Sequence, residues 1–409
     1  MQDPDYILRF SEGSEQGAEE LHQDIINRLV EHIMTRIGRG ADYILTAQDK
    51  WQIEVLQEAG YLLKDIQREI AMRTQLQEEE IRQAMLDACT RSIAYDDAVY
   101  KAAGLSPTPL HQSPYMMRLM QRAYEATIGE WRNYTRTTAD AAQQLFIRAC
   151  DKAYNLTTSG AVSYAEAVRE AIEDISRDGV VVRYPSGHTD TIETATLRAV
   201  RTGTSQACAQ ITDARMDEME WDIILVSAHM GARVTDAEDF TNHYWWQGKF
   251  YSRSGKDPRF PPFSVCGMGD VQGIHGANCR HSHGPGDGEH NPFEHYDSEE
   301  NRKAYEMQQR QRALERRIRK TKREAMTMKK ALDNAQDESA RNELDMDYQK
   351  KSVLLKRQNE AYNKFCAENG LKTRSERIQI AQWDRKQAAA QRAAIARYEE
   401  SHKEVKDGE

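Results

Sequence analysis

The stretch from Val226 to Pro285, here called the histidine-rich stretch, constrains the fold of this chain more than any other part of the sequence. It holds two of the six cysteines and five of the 12 histidines. Beyond Phe250 it is rich in glycine, proline and aspartate and shows little apolar periodicity, whereas the sequence on both sides is typical of charged helices. Irregular segments of this length usually have a function or are held in place by specific contacts. We therefore expect the specific chemistry of the protein here.

The sequence before this stretch predicts long helices. From about Glu19 to Ala102, apolar residues recur every three or four positions, which places them on one face of a helix. Gly38-Arg39-Gly40 interrupts the pattern with two glycines that fit a helix end, and the prolines in residues 105–109 predict a loop. The helical pattern resumes from Ser113 to about Ser176, with an interruption near 157–160.

Short β elements are predicted before the histidine-rich stretch. Val180–Tyr184 is a β-branched run, and the turn residues Pro185-Ser186-Gly187 that follow are typical of a hairpin arm. A helix capped by Thr191 is expected up to about Glu218. Trp221–Val226 is the most strand-like run of the chain. It ends just before His229, a position at which binding groups are often presented.

From about Ser298 to Ser401 the sequence again predicts helix, because proline and glycine are almost absent. Apolar residues between Leu314 and Ala335 alternate in steps of four and three, as in heptad repeats. Asn369-Gly370 is expected to divide this region into two helices. A straight helix of roughly 70 residues before that break would span about 100 Å. We expect such a helix to pack on other subunits or on the N-terminal helices.

Together these patterns predict a mostly α fold with a small α+β domain. The expected parts are an N-terminal helical region (1–176), a central loop-rich α+β domain (177–297) and long, charged, coiled-coil-like helices (298–409). Charged residues make up 30% of the chain and hydrophobic ones 39%. That balance suits long exposed helices better than one large globule.

Composition also argues against several classes of protein. The net charge of -9 disfavours a general nucleic-acid binder. No apolar run approaches the roughly 20 residues of a membrane span, and the N-terminal sequence lacks the pattern of a secretory signal. Six scattered cysteines do not make a disulfide framework, so we interpret them as reduced thiols of a protein made in a cytoplasm.

One segment departs from the acidic average. Residues 302–330 contain twelve Lys or Arg and only three Glu. A basic helix of this kind can contact DNA phosphates or an acidic partner surface, or it can simply present a solvated face with partial i,i+4 compensation. The residues proposed for partner or DNA contact are Arg316, Arg317, Arg319, Lys320, Lys322 and Arg323.

A structural zinc site is one hypothesis for the histidine-rich stretch. Zinc takes four nitrogen or sulfur ligands, and the candidates here are Cys266, Cys279, His281 and His283. His229 or His243 can add a ligand. The sequence contains no close Cys-x-x-Cys pair. The alternative is a set of hydrogen-bonded loop histidines with two inert thiols and no cofactor.

Two further interpretations meet obstacles in the sequence. Asn278 and His281 with another histidine resemble the residues of histidine–asparagine–histidine metal nucleases, but the Gly-Pro-Gly-Asp-Gly run after His283 breaks the hairpin and helix that such a site needs. Several glycines between Gly267 and Gly276 invite comparison with a phosphate loop. No strand precedes them and no Gly-Lys-Ser or Gly-Lys-Thr follows, so a tight irregular loop explains them better.

Separated motifs in the histidine-rich stretch resemble the phage minor capsid protein 2 family, which belongs with the head morphogenesis proteins of tailed phages. They are His229-x-Gly231-Ala232-Arg233, then Trp246-Gln247-Gly248-Lys249 with Ser252, then Gly276-x-Asn278-Cys279-Arg280-His281 with Pro285. Tyr184-Pro185-Ser186-Gly187 upstream and the helix from Tyr305 to Arg319 are similar too. The resemblance covers residues 180–330 and, in character only, the helical flanks.

The resemblance implies a structural virion component made in the host cytoplasm, present in few copies in the phage head and not an enzyme. Its implied partners are the portal protein, the major capsid protein and, through the basic helix, packaged DNA. The chain departs from the family pattern at Cys266-Gly267-Met268-Gly269, where the family has Gly-Tyr-Gly, and at Asp236–Asn242, which contains an insertion if His243 is the family histidine. These changes weaken a catalytic interpretation more than a structural one.

We expect the motif residues to converge into one buried polar cluster that fixes the irregular stretch. In that cluster an arginine would bond loop carbonyls and the indole would pack beneath the histidines. The expected members are His229, Arg233, His243, Trp246, Gln247, Lys249, Asn278, Cys279, Arg280 and His281.

Overall fold

A computed structural model of the chain describes Tyr6 and residues 12–184, 186–293 and 295–404. Most of these residues are helical, and the few strands are short. The predicted mostly α fold with a small α+β part is therefore confirmed. Pro185, the centre of the predicted hairpin turn, lies outside the described residues.

The helices before the histidine-rich stretch follow the predicted apolar pattern closely. They are α1 (Glu12–Ile37), α2 (Ala41–Ile44), α3 (Gln48–Ala102), α4 (Pro114–Thr158), α5 (Tyr164–Asp178) and α6 (Ile192–Glu218). The first break falls at the predicted glycines, where Gly40 has a φ of 134° that other residues rarely adopt. Ser163 caps α5, because its side chain accepts a hydrogen bond from the Glu166 amide.

Two small antiparallel sheets are formed. The predicted hairpin pairs β1 (Val182–Arg183) with β2 (Thr189–Asp190). The second sheet has the order β4-β3-β5, with β3 in the centre. Its strands are β3 (Ile223–Val226), β4 (Phe250–Ser252) and β5 (His283–Pro285), and the one-turn helix α7 (His243–Trp246) precedes β4. A 3₁₀ turn (Phe263–Cys266) lies between β4 and β5, and another (Leu110–Gln112) lies between α3 and α4.

The C-terminal helices break earlier than the sequence predicts. They are α8 (Ser298–Asn334), α9 (Glu338–Glu368), α10 (Ser375–Ile378) and α11 (Arg385–Glu404). The break at Asn369-Gly370 is confirmed.

The expected straight helix of about 70 residues is wrong, because α8 and α9 are separated at residues 335–337. The side chain of Asp337 caps α9 by accepting from the Ala340 amide. The amides of residues 336 and 337 both donate to the Gly38 carbonyl. No proline or glycine marks this break. A contact with a distant part of the chain fixes it.

The chain forms two compact units, each assembled from three separate stretches. The first unit contains the described residues of Met1–Gly17, Thr74–Asn133 and Thr194–Gln309. One of its cores joins α3, α4 and α6 through side chains such as Ile93, Ile128 and Ile211. A second core lies against the three-stranded sheet and contains Trp246, Tyr251, Cys266 and Cys279 among others.

The second unit contains the described residues of Ala18–Arg73, Tyr134–Glu193 and Arg310–Glu409. Within it, α9 packs against α5 and α11. Lys330 of α8 contacts Glu31 of α1 at 2.5 Å, so the expectation that the C-terminal helices pack on N-terminal ones is confirmed here. The apolar stripe of α8 points inward, with Ile318, Ala325 and Met328 fully buried.

Candidate functional site

The three-stranded sheet brings the two ends of the histidine-rich stretch together. β3 and β5 are antiparallel and pair Val226 with His283. Beyond the strands, the Ser227 amide donates to the Ser282 carbonyl at 2.9 Å. His229 and His281 therefore leave the sheet next to each other, and their imidazole rings stack with centroids 4.5 Å apart.

Three side chains meet next to this stack, and we call them the histidine–cysteine cluster: His243, Cys279 and His281. They are 2%, 7% and 0% exposed. One ring nitrogen of each histidine and the cysteine sulfur lie within 4.8 Å of one another, and the Cys279 Sγ is 3.6 Å from the His281 Nδ1. The Trp246 ring covers one side, with its centroid 4.6 Å from that of His243 and 4.7 Å from that of His281.

The outer nitrogens of the two histidines are held by oxygen acceptors. The His243 Nε2 is 2.8 Å from the Gln272 carbonyl, and the His281 Nε2 is 3.0 Å from the Gln247 Oε1. Gln247 also accepts a hydrogen bond from the His229 amide at 3.0 Å. These acceptors fix the orientation of both rings, because a carbonyl oxygen opposite Nε2 places the ring proton there and leaves Nδ1 as an acceptor.

Burial keeps this cluster uncharged. It lowers the pKa of His243 to about 4, and it lowers the pKa of His281 well below its ordinary value, with His229 and His243 adding to the effect. Burial also raises the pKa of the Cys279 thiol to about 11. An imidazole with so low a pKa is a poor general base at neutral pH. The arrangement suits hydrogen bonding or metal ligation better than proton transfer.

The two arginines of the motifs form hydrogen bonds within the histidine-rich stretch, and one of them bonds loop carbonyls as expected. The Arg233 guanidinium donates to the Gln272 carbonyl at 3.1 Å and to the Ala277 carbonyl at 3.2 Å. The Arg280 Nη2 lies 3.0 Å from the His229 Nδ1. Each arginine therefore ties together parts of the loop that are distant in sequence.

Two residues that we placed in the buried cluster lie elsewhere. Asn278 is exposed, and its φ of 61° puts it in the left-handed region that asparagine tolerates. Lys249 is also exposed, and its Nζ donates to the Trp245 carbonyl at 2.5 Å. Their inclusion was wrong. Asn278 serves a turn, and Lys249 holds the backbone of α7.

The predicted zinc ligands are not brought together as a set of four. Cys279 and His281 are neighbours, and the third group beside them is His243. Cys266 lies in the apolar core with Tyr251. His283 belongs to a different chain of hydrogen bonds. His281 precedes β5 and its ring faces Cys279, whereas His283 lies in the strand and its ring meets that of His275.

That other chain of hydrogen bonds joins α6 to the loop, and sequence reasoning missed half of it. The Ser205 Oγ is 2.8 Å from the His275 Nδ1, and the His275 Nε2 is 2.8 Å from the His283 Nδ1. The His283 Nε2 is 3.4 Å from the Asp213 carboxylate. Ser205 is only 3% exposed, so this chain connects buried elements and does not present a nucleophile. The eight-residue spacing of Ser205 and Asp213 on one helix stripe is the sole sequence signal.

Asn301, at the start of α8, is a second residue that sequence reasoning missed. Its side chain is fully buried and accepts from the amides of Gly231 and Ala232 at 2.8 and 3.0 Å. The same side chain donates to the Ala232 carbonyl at 3.1 Å. Gly231 has a φ of 77°, and an added Cβ would lie 2.5 Å from the Gln308 side chain. The His229-x-Gly231-Ala232-Arg233 motif is therefore a backbone turn clamped by α8.

The basic residues predicted to contact a partner fall into two groups on α8. Arg316, Arg317 and Lys320 are exposed, and Arg319 is half-buried. The three exposed side chains can reach an external surface. Their side chains belong to the second unit.

The other two basic residues are used inside the second unit. Lys322 is buried, its Nζ donates to the Ile378 carbonyl at 2.7 Å, and burial lowers its pKa to about 8. Arg323 pairs with Glu19 at 2.8 Å and with Glu193 at 2.5 Å. Both were predicted to contact a partner or DNA. Their charges are instead engaged within the fold.

A comparison with known protein families identifies the family of this chain. The family model described as phage minor capsid protein 2 matches residues 9–365. The chain belongs to the phage minor capsid protein 2 family. The match confirms the resemblance carried by the motifs and extends it over most of the helical flanks. A structural role in a bacteriophage follows from this membership.

The other comparisons give no further relative of this minor capsid protein. No curated protein and no solved structure matches it. Within the described residues, no helix combines the length and apolar character that crossing a membrane requires.

Proposed function

We propose that this minor capsid protein acts in head assembly at or near the portal of a tailed bacteriophage, and that it is not an enzyme. The observation that carries the proposal is the family match over residues 9–365, which includes the histidine-rich stretch and parts of both units. Its place would be the phage head, after synthesis in the host cytoplasm.

The chemistry of the histidine–cysteine cluster supports a structural task. Its side chains are buried and hydrogen-bonded to the loop that carries them. A polymeric substrate cannot reach His281, which is 0% exposed. The pKa of His243, lowered by burial to about 4, is also far from the range in which a general base works well at neutral pH. In this proposal the hydrogen bonds of these groups stabilise the conformation of the loop.

The exposed face of α8 is our candidate contact surface for the portal protein, the major capsid protein or packaged DNA. Arg316, Arg317 and Lys320 present three positive charges there, and arginine is suited to bidentate contact with carboxylates and phosphates. Such a surface would allow the protein to bind acidic or phosphate-bearing partners during head assembly.

Genetic complementation tests the proposal. Phage lacking this gene would be supplied with a chain carrying Arg316→Glu, Arg317→Glu and Lys320→Glu. The matched control carries Arg341→Glu, Arg357→Glu and Lys364→Glu, which are exposed on α9 of the same unit. We expect the α8 variant to fold but to be missing from particles, and the control to be incorporated. Equal incorporation of both variants would contradict a contact role for α8.

The alternative is a virion-carried metal-dependent nuclease. It predicts DNA cleavage by the purified chain with Mg²⁺, Mn²⁺ or Zn²⁺, lost in a folded His281→Ala variant. We expect no cleavage above that of a mock purification. In this fold the described residues between β5 and α8 form turns and loops, so a helix carrying nuclease ligands does not directly follow the strand. Metal-dependent cleavage lost in the variant would overturn the structural assignment.

A further inference from the structure

The histidine–cysteine cluster has the donor set of a transition-metal site. Its three groups come from two places in the sequence, the start of α7 and the loop before β5, yet their ligand atoms lie within 4.8 Å of one another. The 3.6 Å between the Cys279 Sγ and the His281 Nδ1 is close to the edge of a zinc tetrahedron. Zinc bonds of about 2.3 Å to sulfur and about 2.0 Å to nitrogen give an edge of about 3.5 Å.

The surroundings of the two histidines match those of metal ligands. In metal sites the second ring nitrogen of a ligating histidine almost always donates to a carbonyl, a carboxylate or water. Here the His243 Nε2 meets the Gln272 carbonyl, and the His281 Nε2 meets the Gln247 side-chain oxygen. The His281 Nδ1 faces the Cys279 Sγ, and the hydrogen bond of the His243 Nε2 leaves Nδ1 as the acceptor nitrogen of that ring. Gln247 and the Gln272 backbone would be the groups that orient the ligands.

The residue types of the cluster are those that ligate zinc. Histidine ligates as the neutral imidazole. The Cys279 thiol would release its proton when the metal binds, because a thiolate is the ligand. Soft sulfur with imidazole nitrogen favours zinc over magnesium or calcium.

We propose that His243, Cys279 and His281 bind one zinc ion through Nδ1, Sγ and Nδ1, with water as the fourth ligand. The ion would join α7 to the loop before β5 and would stabilise this irregular part of the histidine-rich stretch. Cys266 and His283 are not ligands in this assignment, since among the described residues neither belongs to the group of ligand atoms that lie within 4.8 Å of one another. The site is independent of the portal assignment.

Metal analysis of the full-length protein tests the proposal. The chain would be purified without chelators, and its zinc content measured by mass spectrometry for the wild type, Cys279→Ser and His243→Gln. Cys266→Ser, another buried cysteine of the same core, is the matched control. We expect about one zinc per chain in the wild type and the control, and a roughly tenfold weaker affinity or complete loss in the two ligand variants.

A spectroscopic measurement on the wild type keeps the test decisive if a ligand variant fails to fold. Cobalt exchanged for zinc should give the visible absorption of a tetrahedral site together with a thiolate-to-cobalt charge-transfer band. X-ray absorption at the zinc edge should show one sulfur among the ligands. A wild-type protein that binds no zinc at micromolar concentration, or a Cys279→Ser variant that binds it unchanged, would overturn the proposal.

Discussion

The histidine-rich stretch and the region around Arg323 bury polar groups in opposite ways. In the first, imidazoles and amides are kept neutral and are satisfied by carbonyl oxygens. In the second, which we call the Arg323 cluster (Arg323, Glu19, Glu193 and His22), the charged Arg323 pairs with Glu19 and Glu193 beside His22, whose pKa is lowered by burial. Glu193 is 3% exposed, and Arg323 lies 2.5 Å from it. Burial acts to raise the pKa of Glu193, but Arg323, His22 and local hydrogen bonds together lower it to about 2.

The difference teaches what each region can tolerate. A neutral hydrogen-bonded loop loses one or two bonds when a partner is removed. A buried ion pair leaves an uncompensated charge, which costs more. The Arg323 cluster should therefore dominate the stability of its unit, and the histidine-rich stretch should depend on many smaller contacts.

The largest expected effect is that of removing the arginine from the Arg323 cluster. Arg323→Ala leaves two carboxylates in a buried place without their counter-charge, so we expect unfolding free energy to fall by about 3–5 kcal/mol. Arg316→Ala on the exposed face of the same helix is the control and should change it by less than about 0.5 kcal/mol. Urea unfolding measures both. Similar values for the two variants would remove the distinction between the regions.

Acid should weaken the Arg323 cluster within a defined pH range. The folded pKa of Glu193 is about 2 and its ordinary value is 4.5, so the unfolded chain binds more protons between these values. Stability from this group is therefore complete above pH 4.5 and is lost as the pH falls toward 2, by roughly 3 kcal/mol. Urea unfolding across this range should show a shallower decline in Glu193→Gln. An identical decline in both proteins would contradict the ion-pair account.

A smaller loss is expected in the histidine-rich stretch when one acceptor is removed. Gln247→Leu deprives the His229 amide and the His281 Nε2 of their partner, which should cost about 2 kcal/mol. Gln272→Ala is the matched control: the Gln272 side chain is exposed, and the hydrogen bonds described for this residue come from its backbone amide and carbonyl. We expect the control to change the urea midpoint little. If Gln272→Ala were as harmful as Gln247→Leu, the loop would not depend on the bonds described.

The smallest effects concern two glycines of the first unit and should have opposite signs. Gly231→Ala forces a φ of 77° on a residue with a Cβ, which would also meet the Gln308 side chain, so we expect a loss of about 1 kcal/mol or somewhat more. Gly129→Ala lies inside α4 with open space around the new Cβ, and it should gain about 0.5–1 kcal/mol. Thermal unfolding distinguishes the two signs. A gain for Gly231→Ala would show that the turn is not strained.

Much of the fold could be predicted because local signals determine it. The glycines at 38–40 and the apolar spacing of α1 and α3 act within a few residues. The break between α8 and α9 could not be predicted in this way, because it depends on the Gly38 carbonyl, almost 300 residues away in sequence. The division into regions 1–176, 177–297 and 298–409 remains a prediction.

The sequence indicates several of the residues that belong to the site, but not which of them lie next to each other. Cys279 and His281 stand out by residue type, and their proximity follows from the spacing of two. The choice of His243 as the third group depends on the Gln272 backbone, and the separation of His283 depends on its contact with His275. The type of residue at position 272 does not indicate where its backbone carbonyl lies. Ser205 and Asn301 were missed for the same reason, since their partners lie on distant segments.

Imaging of intact phage particles by electron cryomicroscopy tests the central claim most directly. The account predicts density for the two units of this chain inside the head at the portal vertex, in few copies. The exposed face of α8 should lie against an acidic partner surface or DNA. Density for the chain in the tail, or particles that contain none of it, would contradict an assembly role at the portal.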